Sequence, residues 1–368
     1  MRILLVASAL GGIGPVAVAG RAQRAWFSVR PHDDVQIAPI AEGDVVAHVG
    51  TGLDEVMEYI NPELSSLQLG DEPRRIWWSG RNEWTIDLAN SLTWSGESDP
   101  RGSSDFLGAD LDHLVMSGAH QIHVHVPTLM RHTDVGLGML AHLAGQPVST
   151  DPNELSLALL TARRRLAGVR MILTYPSAMA LTGLSGVARH WEPKLGSRAA
   201  LEAEREIGEI AHALEAAQAQ ISRKSLLAGS QPSTTSAYSG VGGGLGLMFD
   251  LLGAQVRPLG SFLTRRGQGL GDEPYDLVVY VGDTIGVDVP SGVQTCVELA
   301  SQEAAPVVVI FDRAGLRKGE LPRLGLNGAY ELREDAYAEE ETPIDALAMI
   351  PILLDEQVSR VARTWGWD

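Results

Sequence analysis

Residues 3–15 read ILLVASALGGIGP. The run from Ile3 to Ala7 has no polar interruption, as expected of a strand buried on both faces of a parallel sheet. Gly11, Gly12 and Gly14 follow as a turn. Pro15 suits the first turn of a helix, where its missing N–H costs nothing. That helix is predicted to reach about Ser28. Strand, glycine turn and helix in this order open an α/β domain. Val35 to Ile40 reads as a second strand. Far along the chain, Leu277 to Val281 and Val307 to Phe311 are equally strand-like, with a helical Ser291 to Ala300 between them. These three segments make a βαβ unit, which joins parallel strands. The two chain ends are thus its most parallel-sheet-like parts.

Between them the pattern is more mixed. Residues 70–110 are polar and turn-rich and hold Trp77, Trp78, Trp84 and Trp94. Thr85 to Ala89 alternates like a half-buried strand. Asp110 to Ser117 reads as helix stopped by Gly118, Gln121 to Val126 as strand, and 135–145 as helix. Asn153 to Leu166 is helical, with Arg163, Arg164 and Arg165 at the end where cations are favoured. Ala199 to Ile221 is the clearest helix, with Ile207, Ile210, Leu214 and Ile221 on one stripe. Ser230 to Gly246 is rich in Gly and Ser and reads as loop. Glu331 to Glu341 reads as acidic surface. A last helix is expected near Ile344 to Arg363, interrupted at Pro351.

The chain has 368 residues, room for two domains, and a formal net charge of −17. That field repels phosphate backbones and anionic lipid surfaces, so neither nucleic acid nor membrane is an expected partner. Any anionic substrate needs a local positive pocket. The single cysteine, Cys296, forbids an intrachain disulfide and fits a cytoplasmic protein. The glycines at 11, 12 and 14 and Pro15 break the apolar N-terminal run, so it reads as strand and turn rather than export signal.

Several loops, in order, resemble those of type I glycerate kinases. The family's early D-S-F-K-G turn corresponds to Ser8-Ala9-Leu10-Gly11-Gly12, and its A-D-G-G-E-G turn to Ala41-Glu42-Gly43-Asp44-Val45. Its D-P-x-x-A-T-x-G helix start is similar to Asp99-Pro100-Arg101-Gly102-Ser103-Ser104 with Gly108. Its G-G-S-A-T-N-D-G-G-A-G-M-L segment is similar to Thr128 to Leu140, with Asp134, Gly136, Gly138, Met139 and Leu140 retained. Its P-Q-K-G loop resembles Pro193-Lys194-Leu195-Gly196. Its long glycine turn resembles Ser239 to Gly246, and its D-L-V-I-T-G-E-G loop resembles Asp276 to Asp283. The resemblance implies a two-domain α/β fold: a Rossmann-like domain from residues 1–65 and 275–368, with a second α/β domain, 66–274, inserted. It also implies ATP-dependent phosphoryl transfer to a small hydroxy acid such as glycerate, assisted by Mg²⁺, with the active site in the cleft.

By the same resemblance, Asp283, Asp134 and Lys194 are the candidate catalytic residues, and Asp283 and Asp134 the candidate metal ligands. Gly11, Gly12, Gly14, Gly242, Gly243, Gly244 and Gly282 are candidate nucleotide-binding positions. Glycine turns and helix N-termini can cradle phosphate through backbone N–H groups; they can equally be tight turns. Glu42, Arg131, His123 and His125 are candidate substrate contacts. Phosphoryl transfer needs cations at the phosphates and carboxylates for magnesium. Ser8 and Gly11 stand where the family has an acid and a lysine, and Asp283 is one methylene shorter than the family's glutamate. These losses suit an alternative: a non-catalytic homologue that senses a ligand or binds a protein partner through a surface such as the tryptophan cluster.

Six of the ten histidines fall between His113 and His142. His123 and His125 share one strand face, with His132 and Asp134 close behind, which leaves open a metal site or a polar strand face. No G-x-S-x-G elbow, G-x-x-x-x-G-K-[ST] loop or C-x-x-C pair is present.

Overall fold

A computed structural model describes residues 1–43, 52–61, 63–67, 69, 74–96, 99–222, 233–267, 274–286, 288–333 and 343–366. The chain divides into two compact units, Met1–Pro62 with Leu259–Asp368, and Glu63–Pro258. β1 (Arg2–Ala7), α1 (Pro15–Phe27), β2 (Asp34–Pro39) and α2 (Leu53–Ile60) begin the first unit. The second holds β3 (Ser65–Leu67), β4 (Arg75–Ser79), β5 (Glu83–Asp87), α3 (Ala89–Leu92), α4 (Asp105–Met116), β6 (Gln121–His125), α5 (Leu137–Ala144), α6 (Pro152–Arg165), β7 (Arg170–Tyr175), α7 (Val187–Leu195), α8 (Ser197–Ser222), α9 (Val241–Leu251) and β8 (Gln255–Pro258). The chain then returns to the first unit with α10 (Leu259–Gly267), β9 (Leu277–Ile285), α11 (Ser291–Glu303), β10 (Val307–Ala314), a 3₁₀ turn at Leu321–Leu324, β11 (Gly328–Glu331) and α12 (Pro343–Trp365).

The first unit is a five-stranded parallel sheet in the order β11–β10–β9–β1–β2. Alternate strand residues serve opposite faces. Ile3, Leu5, Val279, Val281, Val308 and Ile310 pack with Val18 and Trp26 of α1 and with Ile350, Leu354, Val358 and Val361 of α12. α10 packs on β2 and on α11, which itself packs on β9 and β10. That packing places Leu259–Gly267 with the first unit, whereas the sequence reading put it in the inserted domain. Pro351 does not interrupt α12, which runs through it. The carbonyl of Pro351 is held by Arg21 Nε at 2.9 Å.

The second unit is a six-stranded sheet, β3–β4–β5–β6–β7–β8, with its first two pairings antiparallel and the rest parallel. The segment expected to be turn-rich therefore supplies a hairpin: Ile76 and Trp77 in β4 are buried, which the tryptophan-rich, charged sequence disguises. Ile76, Ile86, Ile122, Val124 and Leu173 belong to one apolar cluster with helix residues such as Leu111, Leu140, Leu159 and Leu214. Arg74 makes a buried two-pronged ion pair with Asp110 of α4. Asp151 caps α6, accepting from the backbone of Asn153 at 2.6 Å.

Candidate functional site

In an open parallel sheet, ligands bind outside the carboxyl ends of the strands, where the strand order reverses. In the first unit that point lies between β1 and β9, and the sequence candidates Gly11, Gly12 and Asp283 meet there. Gly11 (φ 53°) and Gly12 (φ 80°) occupy the centre of a tight turn closed by paired backbone bonds between Leu10 and Ile13. Both central residues need positive φ, which glycine adopts without penalty. The Gly11 N–H donates to Asp283 Oδ1 at 3.0 Å. Asp283 is exposed, near the end of β9.

The helix N-termini here are already filled by carboxylates of the protein. Glu55 of α2 accepts from Val16 N at 3.0 Å and Ala17 N at 3.3 Å, covering the N-terminus of α1 behind Gly14. Glu42, just after β2, covers the N-terminus of α11: Oε1 accepts from Gly292 N at 2.8 Å and from Ser291 Oγ at 2.6 Å. Its Oε2 accepts from the Tyr280 hydroxyl at 2.7 Å. Only glycines leave room for it, since a Cβ on Gly260 or Gly292 would lie 2.4 or 2.6 Å from a Glu42 oxygen. Burial raises the Glu42 carboxyl above its usual range, against the lowering pull of its hydrogen bonds. Burial and the neighbouring Glu42 push the Tyr280 phenol well above its usual range. Glu42, expected as a substrate contact, is thus bonded between the end of β2, β9 and α11. Gly282 is likewise a packing glycine: a Cβ there would lie 2.7 Å from the Tyr280 ring and 2.9 Å from Ser8 Oγ. Asp44, its neighbour in the predicted turn, lies outside the described residues.

In the second unit the expected site residues make bonds and contacts within the unit. Asp134 accepts from Ser104 N (2.9 Å), Gly136 N (2.9 Å) and Gly138 N (2.8 Å), so it caps α4 and α5 together. Its Oδ2 accepts two of these bonds and its Oδ1 one. Gly242, Gly243 and Gly244 have φ of 60°, 68° and 101° and are buried against Val126, Thr133 and Val135. The N–H groups of Gly242 and Gly244 donate to Pro127 O and Gly240 O. The glycines of this turn pack closely against the rest of the unit.

His123 and His125 are fully buried. They flank Thr174 of β7, a strand the sequence reading missed. His125 Nδ1 lies 3.1 Å from Thr174 Oγ1 and 3.3 Å from Thr174 O; His123 Nε2 lies 2.7 Å from the same hydroxyl. The threonine hydroxyl lies within hydrogen-bond distance of both rings, and a bond to the Thr174 carbonyl requires the proton on His125 Nδ1, because a carbonyl only accepts. Burial lowers the His125 pKa to about 4, keeping the ring neutral. These rings, expected as ligand contacts, form a polar chain inside the sheet. No group of three or more histidine, cysteine, aspartate or glutamate side chains suited to a metal occurs among the described residues.

Arg131 and Lys194 are exposed cations; the Lys194 stem lies over Gly96. The tryptophans divide. Trp77 and Trp94 are buried, Trp94 edge-on to Trp191, whereas Trp78 and Trp84 are cross-strand partners with ring centres 6.1 Å apart. No helix among the described residues is long and apolar enough to cross a membrane.

The sequence matches no protein-family model and no curated protein. The structure does find a counterpart, a crystal structure described as "putative glycerate kinase 2 from Salmonella typhimurium LT2". It superposes with a TM-score of 0.67 over 99% of this chain and 98% of that one, at 19% identity. The fold is that of a glycerate kinase. At this identity the likeness shows the fold alone, with two α/β units, one of them built from both chain ends. Within it, Asp283 is the candidate acid that keeps an exposed carboxylate. One magnesium commonly takes one or two protein carboxylates, with phosphates and water completing its shell. The exposed Asp283 fits that part.

Proposed function

We propose that this chain is a glycerate-kinase-like protein with degraded phosphoryl-transfer positions, acting by binding rather than by turnover. The observation that carries this is the occupation of the α1 and α11 N-termini by Glu55 and Glu42. A nucleotide phosphate needs those N–H groups and a positive field. Here it would meet carboxylates instead. The early turn supplies no lysine, and each missing charge at a phosphoryl-transfer site costs orders of magnitude in rate. A ligand-sensing or protein-binding role on the retained scaffold follows.

The competing reading is an active kinase that transfers phosphate from ATP to a small hydroxy acid such as glycerate. The full-length fold match and the exposed Asp283 favour it. Asp283 would then hold Mg²⁺, and Arg131 or Lys194 would neutralise phosphate. A coupled ADP-release assay with purified chain, Mg²⁺, ATP and D-glycerate decides between them, using Asp283→Ala as control. The binding reading expects no turnover above the control. Glycerate-dependent turnover that vanishes in Asp283→Ala would establish the kinase.

A further inference from the structure

Asn327-Gly328 is the one place in the chain where glycine follows asparagine. It lies at the start of β11, which forms one edge of the first unit's sheet. Asn327 clamps the first residue of β10 twice. Its N–H donates to Val307 O at 2.8 Å, and its side-chain Oδ1 accepts from Val307 N at 2.8 Å. The residue is exposed, and its Nδ2 makes no hydrogen bond among the described residues.

Gly328 is set by packing. It stands in register with Val308, and a Cβ on it would lie 3.0 Å from Trp365 Cζ2 and 3.4 Å from Tyr330 Cε2. Trp365 is itself tied to the strand, its Nε1 donating to the Tyr330 hydroxyl at 2.9 Å. The fold thus sets a clamping amide next to a residue with no side chain.

That pair carries a reaction of its own. A glycine nitrogen has no side chain to shield it and can attack the amide carbon of the residue before it. The Gly328 nitrogen bonds to Asn327 Cγ, the Cγ–Nδ2 bond breaks, and Nδ2 leaves as ammonia with the Gly328 amide proton. Water then opens the five-membered imide. Opening at Cγ gives aspartate; opening at the backbone carbonyl gives isoaspartate, whose main chain is one carbon longer. The ring closes only when Cγ and the Gly328 nitrogen meet. Pairing with β10 holds both, Cγ through Oδ1 and the nitrogen through the strand ladder.

We infer that Asn327 is a deamidation site gated by β11: slow while Val307 is clamped, fast once this edge strand leaves β10. Strand edges open locally at less cost than the whole fold. Isoaspartate does not restore the edge, because the added carbon shifts the residues that follow against β10. Those include Glu331, whose Oε1 accepts from Ala314 N at 3.0 Å, and Leu332, whose N–H donates to Phe311 O at 2.8 Å.

Timed incubation of the full chain at mildly alkaline pH tests the inference, read by peptide mass mapping and by enzymatic methylation of isoaspartate. Conversion at Asn327 is expected to be at least about tenfold slower in the folded chain than in the same chain in urea. Trp365→Ala removes the ring that lies over Gly328. It is expected to speed conversion in the folded chain at least about threefold and to leave the rate in urea unchanged. Gln357→Ala frees the Glu331 carbonyl, which Gln357 Nε2 holds at 2.7 Å, and takes the place of Trp365→Ala if that variant does not fold. Equal rates in the folded and the urea-unfolded chain overturn the gate. No conversion at Asn327 in urea overturns the site. A folded-state rate that neither variant changes overturns the link to β11.

Discussion

The hydroxyl of Tyr280 donates to Oε2 of Glu42 at 2.7 Å, linking the centre of the first unit's sheet to a carboxylate that caps α11. One side chain thus satisfies a buried phenol, a serine hydroxyl and a helix N-terminus. It also sets a carboxyl group where a phosphate-binding protein keeps a vacancy for its ligand.

The Glu42 carboxyl is raised by burial, which fixes the sign of its effect on stability. A group whose folded pKa exceeds its unfolded value contributes stability that is fully present below the unfolded pKa. That contribution is lost as pH rises through the folded pKa. Glu42→Gln keeps an oxygen for Gly292 N and Ser291 Oγ, and its amide can donate to the Tyr280 oxygen. The variant's stability relative to wild type is expected to increase as pH rises from about 4.5 towards neutrality. Urea unfolding at a series of pH values measures this. A constant difference between the two proteins would show that Glu42 titrates alike in folded and unfolded chains.

Asp134 holds three backbone N–H groups and no titratable partner in the described residues. Asp134→Ala is expected to cost about 1–3 kcal/mol of stability, the penalty for leaving cap donors unsatisfied. Denaturant unfolding reads the loss directly. A variant as stable as the parent would remove the cap assignment and return Asp134 to the list of chemical groups.

Gly243 and Gly253 both have positive φ, 68° and 87°, but their surroundings differ. A Cβ on Gly243 would sit 2.3 Å from Thr133 Oγ1, whereas one on Gly253 meets nothing within 4 Å. Gly253→Ala is expected to cost about 1–2 kcal/mol from backbone strain alone. Gly243→Ala adds overpacking and is expected to cost about 2–4 kcal/mol. Equal losses in thermal unfolding would contradict the packing assigned to the glycine turn.

Arg74 and Asp110 are 9% and 2% exposed and pair through two hydrogen bonds. Asp110→Ala strands a buried guanidinium and is expected to destabilise by about 3–5 kcal/mol. A loss below about 1 kcal/mol in chemical denaturation would mean that water reaches the pair.

The sequence alone determined the strands at Ile3–Ala7, Leu277–Val281 and Val307–Phe311, because parallel strands buried on both faces are written as unbroken apolar runs. It also determined the glycine turns, since positive φ at Gly11, Gly12 and Gly242–Gly244 leaves few other residues possible. It did not reveal β7, whose Thr174 lies between the two histidines, because an apolar run as short as Met171 to Leu173 does not by itself separate a strand from a buried helix segment. Nor could it assign the carboxylates. Whether Glu42, Glu55 and Asp134 face a ligand or the protein's own N–H groups depends on partners between 2 and 250 residues away along the chain. Only the tertiary structure brings those partners within hydrogen-bond reach, and it gives these three carboxylates to the backbone while leaving Asp283 exposed.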